Sequence, residues 1–188
     1  VGNLFSLTAS LKALGFEARV TARPEELRQA ERIILPGVGA FGDARAKLED
    51  TGLVPVLLEE AEKKPFLGIC LGMQLLFDRS FEYGEHPGLG LVPGEVADLR
   101  ADLTDRRLKV PHMGWDTVDM LRGPLFEGID AQTYVYYVHS YAPRLCDAAI
   151  ATTDYGMRFS AALARDNFFG TQFHPEKSGA AGSRILRN

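Results

Sequence analysis

The stretch Phe66-Leu-Gly-Ile-Cys-Leu-Gly-Met-Gln-Leu-Leu-Phe-Asp78 leaves the backbone few choices. Phe66 to Ile69 is a short apolar run that reads as a buried strand. Cys70 follows at once, with Gly68 and Gly72 on either side, and Met73 to Phe77 reads as helix. Strand, glycine-flanked residue and helix make the pattern of a nucleophile elbow, here Gly-x-Cys-x-Gly. Without side chains at Gly68 and Gly72, neighbouring backbone can pack against a sharp, strained turn. Such a turn exposes the sulfur, aims the Leu71 N–H at an oxyanion on an attacked carbonyl and sets the thiol at a helix N-terminus. A lone cysteine between strand and helix is also commonly a small buried hydrophobe, so the elbow does not decide by itself.

Around this stretch, strand and helix patterns alternate. Ser6 is positioned to cap a helix running to about Leu14, with Leu7, Leu11 and Leu14 on one face and Gly15 as its end. Phe16 to Val20 reads as a strand, Pro24-Glu-Glu26 as the start of a short helix, and Arg32 to Leu35 as a buried strand. The glycine-rich loop Pro36-Gly-Val-Gly-Ala-Phe41 follows, then helices over Gly42 to Asp50 and Leu53 to Lys63. Alternation of this kind predicts a parallel sheet covered on both faces, with sites at the carboxyl ends of the strands. Both glycine loops, after Leu35 and after Ile69, sit at such ends.

Beyond Asp78 the pattern turns strand-rich. Strands are predicted over Gly90 to Leu99, Leu108 to Val110, Trp115 to Val118, Thr133 to Tyr141, Ala148 to Thr153, Phe159 to Arg165 and Phe169 to Phe173. A helix from about Ala181 to Leu186 closes the chain. This half is expected to form a mixed sheet or a second, antiparallel one. At 188 residues, without repeat, linker or low-complexity tract, a single domain is expected over 1–188.

The last strand runs into Gly170-Thr-Gln-Phe-His-Pro-Glu-Lys-Ser178. Pro175 biases His174 towards an extended backbone, so His174 and Glu176 can face one side, the carboxylate orienting the imidazole. A base held by a carboxylate supplies the second and third members of a nucleophilic triad. Taken alone, His-x-Glu is often a solvated chance pair, and Gly37-Val-Gly39 an ordinary loop. Joined to a cysteine elbow in a parallel sheet, they read as base, orienting carboxylate and second oxyanion donor, the last being the Val38 N–H.

Composition narrows the partners. A net charge of −4 argues against nucleic acid or an anionic membrane as the main partner, and no apolar run approaches the ~20 residues of a membrane helix. Two cysteines, Cys70 and Cys146, make a poor disulfide framework, which suits a reducing cytoplasm. With the four histidines scattered and no Cys-x-x-Cys, no metal ligand set is expected. Cys146 reads as a structural or surface thiol, His86 as solvated, His112 as shaping the turn before Trp115, and Trp115 equally as core or surface.

Gly68-Ile-Cys-Leu-Gly-Met-Gln74 together with Phe173-His-Pro-Glu176 resembles the triad-type, class I glutamine amidotransferases. Leu35-Pro-Gly-Val-Gly-Ala-Phe41, Val110-Pro-His-Met-Gly-Trp115, Val138-His-Ser-Tyr141, His174-Pro-Glu-Lys-Ser-Gly179 and Gly2-Asn-Leu4 resemble one branch of that family. In that branch a glutaminase serves a (β/α)₈-barrel cyclase of histidine biosynthesis. The resemblance implies a flavodoxin-like three-layer sandwich: a central, mostly parallel sheet, helices on both faces and a smaller antiparallel region. It implies hydrolysis of L-glutamine through a Cys70 thioester, without cofactor, and a heterodimer with the cyclase. Cys70, His174 and Glu176 match the triad, and the Val38 and Leu71 N–H groups the oxyanion donors. Gly39, Gln74, Ser140 and Tyr141 match positions that hold glutamine, while Asn3, Trp115, Tyr136 and Lys177 match positions near the cyclase. It also implies that the Val38 peptide flips when the partner is loaded, so that a β-branched residue at Gly37 should weaken coupling. The family carries a strand ahead of Gly2-Asn-Leu4, which is expected to be missing here. A free-standing cysteine hydrolase of γ-glutamyl compounds, a binding subunit with an idle triad, and a glutaminase with another acceptor remain open on the same residues.

Overall fold

The computed structural model describes residues 4–188. The chain forms α1 (Leu4–Ala13), α2 (Pro24–Gln29), β1 (Ile33–Gly37), α3 (Phe41–Asp50), α4 (Leu53–Ala61), β2 (Phe66–Cys70) and a short α5 (Leu71–Gln74). Next come β3 (Phe77–Ser80), β4 (His86–Pro87), β5 (Val92–Asp98), α6 (Leu99–Asp102), β6 (His112–Val118) and β7 (Thr133–His139). The chain ends with β8 (Tyr141–Pro143), β9 (Ala149–Asp154), β10 (Arg158–Arg165), β11 (Phe168–Thr171) and α7 (Gly179–Arg187).

The central sheet has the order β1-β2-β11-β10-β9. It is parallel across β1, β2 and β11 and antiparallel from β11 through β10 to β9. A second sheet, β4-β3-β5-β8, and the antiparallel ribbon β6-β7 complete the strand-rich half. In the parallel part the side chains alternate between two cores, as strand geometry requires. Ile33 and Phe66 join Phe41, Leu53 and Leu57 of α3 and α4. Ile34, Leu67 and Ile69 pack with Leu7 and Leu11 of α1 and Leu186 of α7 on the opposite face. Helices on both faces, with three parallel strands ending at one edge, make the α/β sandwich that the alternating sequence pattern predicts.

That edge positions the site. Gly37 lies directly opposite Cys70, and Thr171 is opposite Ile69. Residues more than thirty and a hundred positions from the cysteine therefore reach it through strand register alone.

Four local expectations are corrected. The first helix already begins by Leu4, so Ser6 sits inside it; its end is as expected, with Gly15 at φ 87° and the Phe16 N–H donating to the Leu11 carbonyl. Phe16 to Val20 is not a strand: the apolar alternation is present, but among the described residues no strand beside it supplies a ladder, and Phe16 and Val20 are exposed. Leu108 to Val110 is likewise irregular. The helix after the elbow ends at Gln74, because the Leu75 and Leu76 carbonyls turn outwards to accept the N–H groups of Leu89, Leu91 and Val92.

Candidate active site

Cys70 ends β2 with φ 53° and ψ −111°, a positive-φ conformation that costs about 1–3 kcal/mol for a residue with a side chain. The surrounding backbone enforces it. A Cβ on Gly72 would lie 1.7 Å from the Leu35 carbonyl oxygen, and one on Gly68 would lie 2.7 Å from the Gly72 carbonyl and the Met73 Cα. Both glycines are required by close approach. The sulfur is not idle in this pocket. The Gln172 amide Nε2 donates to Sγ at 3.5 Å, the Val138 carbonyl lies 4.0 Å from it, and the His174 imidazole hydrogen-bonds with it.

His174 follows β11 and is followed by a 3-10 turn, Pro175–Lys177, that carries Glu176. Backbone and side chain both fix this turn to the ribbon. The His174 N–H donates to the Tyr136 carbonyl at 2.9 Å, and the Ser178 hydroxyl donates to the His174 carbonyl at 2.6 Å while accepting the Tyr136 N–H at 3.0 Å. The imidazole Nδ1 is 2.8 Å from Glu176 Oε1, with both side chains only 1% exposed. The carboxylate accepts, so Nδ1 carries the hydrogen and Nε2 is left for the cysteine. Burial pulls the His174 pKa down, but the hydrogen bonds with Cys70 and Glu176 outweigh it and push it up to about 9. At neutral pH the imidazole therefore holds a proton.

The candidate oxyanion donors flank the elbow. Leu71 is the first residue of α5, where backbone N–H groups have no partner within the helix. Val38 lies one residue past Gly37, the register partner of Cys70, and is exposed. Its two glycines differ. A Cβ on Gly37 would press within 2.9 Å of the Leu71 Cβ and 3.0 Å of the Gly72 nitrogen, whereas Gly39, at φ 100°, has open space around it. The freedom to turn the loop thus resides at Gly39. A β-branched residue at Gly37 would also press on Leu71 and Gly72 and so disturb the elbow.

Of the candidate substrate residues, Gln74 and Tyr141 are tied together: Gln74 Nε2 donates to the Tyr141 carbonyl and to Gln172 Oε1, each at 2.9 Å. Ser140 sits between β7 and β8, its carbonyl accepting the Leu99 N–H at 3.0 Å. Gly39 lies on the loop facing the elbow. Among the candidate interface residues, Asn3 falls outside the described residues. Trp115 and Tyr136 are register partners on β6 and β7, with ring centroids 6.0 Å apart, and the Lys177 ammonium lies 5.6 Å from the Tyr136 ring. Trp115 is 55% exposed, which places it on the surface, and Met113 and Tyr134 are also exposed on the same ribbon.

Sequence reasoning assigned no role to Gln172 or His139 and misplaced His112. Gln172 is wholly buried and touches the cysteine from 102 residues away, which no local pattern announces. His112 does not shape a turn. It lies within β6, buried, with Nδ1 3.0 Å from His139 Nε2 and Nε2 3.1 Å from Asp116 Oδ2. Nor is His86 simply solvated: it forms part of β4 and packs over Gly42 and Phe41. Cys146 is free and receives a weak hydrogen bond from the Ser160 hydroxyl at 3.7 Å.

Comparison with known proteins agrees with this geometry. Residues 2–188 match the family described as "Glutamine amidotransferase class-I". The chain is 47% identical to the imidazole glycerol phosphate synthase subunit HisH of Syntrophotalea carbinolica, over all of this chain and 94% of that protein. It is 50% identical to the protein of the same name in Lacticaseibacillus casei, over 99% of this chain and 89% of the relative. The crystal structure of a glutamine amidotransferase matches with a TM-score of 0.74 at 20% identity, covering 99% of this chain and 91% of its own. That of a glutamine amidotransferase from Thermotoga maritima matches with a TM-score of 0.58 at 17% identity, over 99% and 75% of the two chains. At those identities the solved structures speak for the fold.

Proposed function

The chain belongs to the class-I glutamine amidotransferase family, and we propose that it is the glutaminase subunit of an imidazole glycerol phosphate synthase. It hydrolyses L-glutamine to glutamate and ammonia and supplies the ammonia to a cyclase subunit, which makes imidazole glycerol phosphate and the aminoimidazole carboxamide ribonucleotide in histidine biosynthesis. The observation that carries the chemistry is the convergence of a strained, glycine-clamped Cys70 with a buried His174–Glu176 pair.

The Cys70 sulfur, as thiolate, attacks the side-chain carboxamide of glutamine, and the C=O electron pair moves onto oxygen. The oxyanion is received by the Leu71 and Val38 N–H groups, each such donor being worth about 10²–10³ in rate. His174, protonated at neutral pH, gives its proton to the departing nitrogen as the C–N bond breaks, leaving the thioester. The now neutral imidazole takes a proton from water, whose oxygen attacks the thioester. Collapse expels the Cys70 sulfur and releases glutamate. Glu176 holds the imidazole with Nδ1 as donor and stabilises its charged form throughout. Gly39, Gln74, Ser140 and Tyr141 form the wall against which glutamine is held.

The ammonia acceptor lies on a (β/α)₈-barrel partner in the cytoplasm. Trp115 and Lys177, both exposed, flank the partly buried Tyr136 ring, Trp115 edge-on to it, a group that suits docking to the partner. The Val38 N–H is turned in only when the partner is loaded, and the open φ 100° position of Gly39 provides the hinge.

The test is glutamate release from glutamine by the chain alone and with a cyclase subunit carrying its nucleotide ligand, using Cys70→Ala as control. Slow turnover alone, strong stimulation in the complex and none in the variant is the expected result. Full speed without a partner and broad tolerance of γ-glutamyl compounds would instead identify a free-standing hydrolase.

A further inference from the structure

The edge of β7 that does not pair with β6 faces the catalytic pair. Residues opposite each other on two antiparallel strands alternate between pairs that exchange backbone hydrogen bonds and pairs that do not. Trp115 and Tyr136 are of the second kind: both backbone groups of Tyr136 turn away from β6 and meet the turn that carries the base. The His174 N–H donates to the Tyr136 carbonyl at 2.9 Å, the Tyr136 N–H donates to the Ser178 hydroxyl at 3.0 Å, and that hydroxyl donates to the His174 carbonyl at 2.6 Å. The three bonds close a ring in which His174 is held at both its N–H and its C=O. Two residues along the same edge, the Val138 carbonyl lies 4.0 Å from the Cys70 sulfur. Base and nucleophile are thus measured against one strand edge.

Ser178 directly precedes α7, where a serine hydroxyl commonly caps the helix, yet it makes no cap bond there. It is buried, and its hydroxyl is spent on the ring. The turn has a separate anchor on the α7 side, since a Cβ on Gly182 would lie 1.8 Å from the Pro175 carbonyl oxygen. Close packing there fixes the turn against the helix without reference to the ribbon. The ring is what ties it to the ribbon, and Ser178 supplies two of its three bonds. The side chains of β7 show why such a tie matters. Successive side chains of a strand point to opposite faces: Val135, Tyr137 and His139 are buried, whereas Tyr134 is exposed and Tyr136 and Val138 are partly so. The residues whose side chains face outwards are therefore the ones whose backbone faces the base and the sulfur. Lys177, from the same turn, has its ammonium 5.6 Å from the Tyr136 ring.

On the reading that the chain is a glutaminase whose cyclase docks on the Trp115–Tyr136 face, we propose that Ser178 is a positioning residue for His174. Its hydroxyl locks the base turn to the edge of β7, so that a partner seated on the outer side of that strand fixes His174 relative to Cys70. Ser178 touches neither glutamine nor a reacting atom. Without the hydroxyl, the Tyr136 N–H loses its acceptor, and the His174 carbonyl keeps only the Lys177 N–H, at 3.0 Å from within the turn itself. The base then follows α7 rather than the ribbon, and docking no longer reaches it.

The experiment is Ser178→Ala in the assembled complex with the cyclase, beside amide hydrogen exchange on the parent chain with and without the cyclase. The α7 anchor is untouched, so the variant should fold. The expected result is a loss on the order of 10²-fold in kcat, as for a slightly misplaced catalytic group, with KM for glutamine and the cyclase dissociation constant within a few-fold of the parent. Alkylation of Cys70 by iodoacetamide at pH 7, followed on the peptide that carries it because Cys146 is also a free thiol, should slow as well, since a displaced imidazole supports less thiolate. In the parent, the Tyr136 and His174 amides belong to one ring, so they should show matching protection, and exchange at both should slow when the cyclase binds. Parent kcat and parent alkylation in a folded variant, amides that exchange independently of each other, or protection unchanged by the cyclase would each overturn the proposal. The exchange data need no variant, so they decide even if Ser178→Ala does not fold. Alkylation and exchange require no turnover: if both come out as expected while the parent complex releases no glutamate, it is the glutaminase reading that fails.

Discussion

At the elbow, backbone meets backbone. Gly72 is so close to the Leu35 carbonyl, and Gly68 to the Gly72 peptide, that the geometry of Cys70 is set by excluded volume. The β6-β7 ribbon is held differently. Gly114 within it has open space around it, and what fixes its inner face is a set of directional contacts: the His112–His139 pair, and the Tyr137 hydroxyl donating at 2.6 Å to Thr153, which donates to the Thr117 carbonyl at 2.9 Å. Steric clamping fails all at once. A polar network fails one hydrogen bond at a time and can be rewired by a substitution that restores the missing donor. The site uses the first to hold its nucleophile and the second to arrange what surrounds it.

The largest effect should come from breaking the clamp. Gly72→Ala places a Cβ 1.7 Å from a carbonyl oxygen that belongs to a central strand and cannot move far. We expect loss of the native fold, seen as absent cooperative unfolding, whereas Cys70→Ala should fold normally and lose turnover. A folded, active Gly72→Ala would remove the distinction between the two regions.

Glu176→Gln probes the point where they meet. The glutamine oxygen can still accept from His174 Nδ1, so the geometry survives, but a source of the raised His174 pKa is gone. His174 then loses its proton at a lower pH. A fall in kcat of about 10²- to 10³-fold, with a normal unfolding midpoint, is the expected result. Measured turnover within a few-fold of the parent would show that the carboxylate has no part in the chemistry.

The contrast also explains what could be read from the sequence. The elbow was legible because its determinants are five consecutive residues, and Gly68 and Gly72 announce the close approach by type alone. The His-x-Glu turn was legible for the same reason. Gln172, His112 and His139 were not, since their roles arise from partners 102 and 27 residues away. Phe16 to Val20 has a strand's alternation yet finds no partner strand among the described residues, and a strand is defined by its neighbour and not by its own pattern. The helix after the elbow was overestimated through Phe77 because the carbonyls that end it are taken by Leu89, Leu91 and Val92, which lie beyond any local window.

The ribbon's outer face allows a milder test. Trp115→Ala removes a ring that is already 55% exposed and lies edge-on to Tyr136. The free chain should keep its stability within about 0.5 kcal/mol, as for surface substitutions generally. The dissociation constant of the cyclase complex should rise by roughly 10- to 100-fold, the range of an interface aromatic worth more than 1 kcal/mol. Titration calorimetry checks this, and an unchanged constant would move the docking face elsewhere.

The smallest effect separates the two regions by the sign of their pH dependence. His139, on the ribbon, has its pKa pulled from 6.5 to about 3, first by burial and then by the His112 charge. Between those limits the unfolded chain binds a proton that the folded chain refuses, so stability falls as the pH drops from about 6.5 towards 3, by at most about 1.4 kcal/mol per pH unit from this group. His174 has the opposite sign. Against the pull of burial, Cys70 and Glu176 raise it from 6.5 to about 9, so its contribution is complete below 6.5 and is lost as the pH rises through 9. His139→Gln keeps a donor for the Tyr141 carbonyl and an acceptor for His112 without a group that titrates. Urea midpoints measured from pH 7 to pH 4 should therefore fall less steeply in His139→Gln than in the parent. Cys70→Ala, which removes one source of the His174 shift, should leave that acid limb unchanged and flatten the loss above pH 7. Equal acid slopes in the parent and His139→Gln would mean that the ribbon's buried histidine accepts a proton in place, and its network would then be as adaptable in charge as it is in hydrogen bonding.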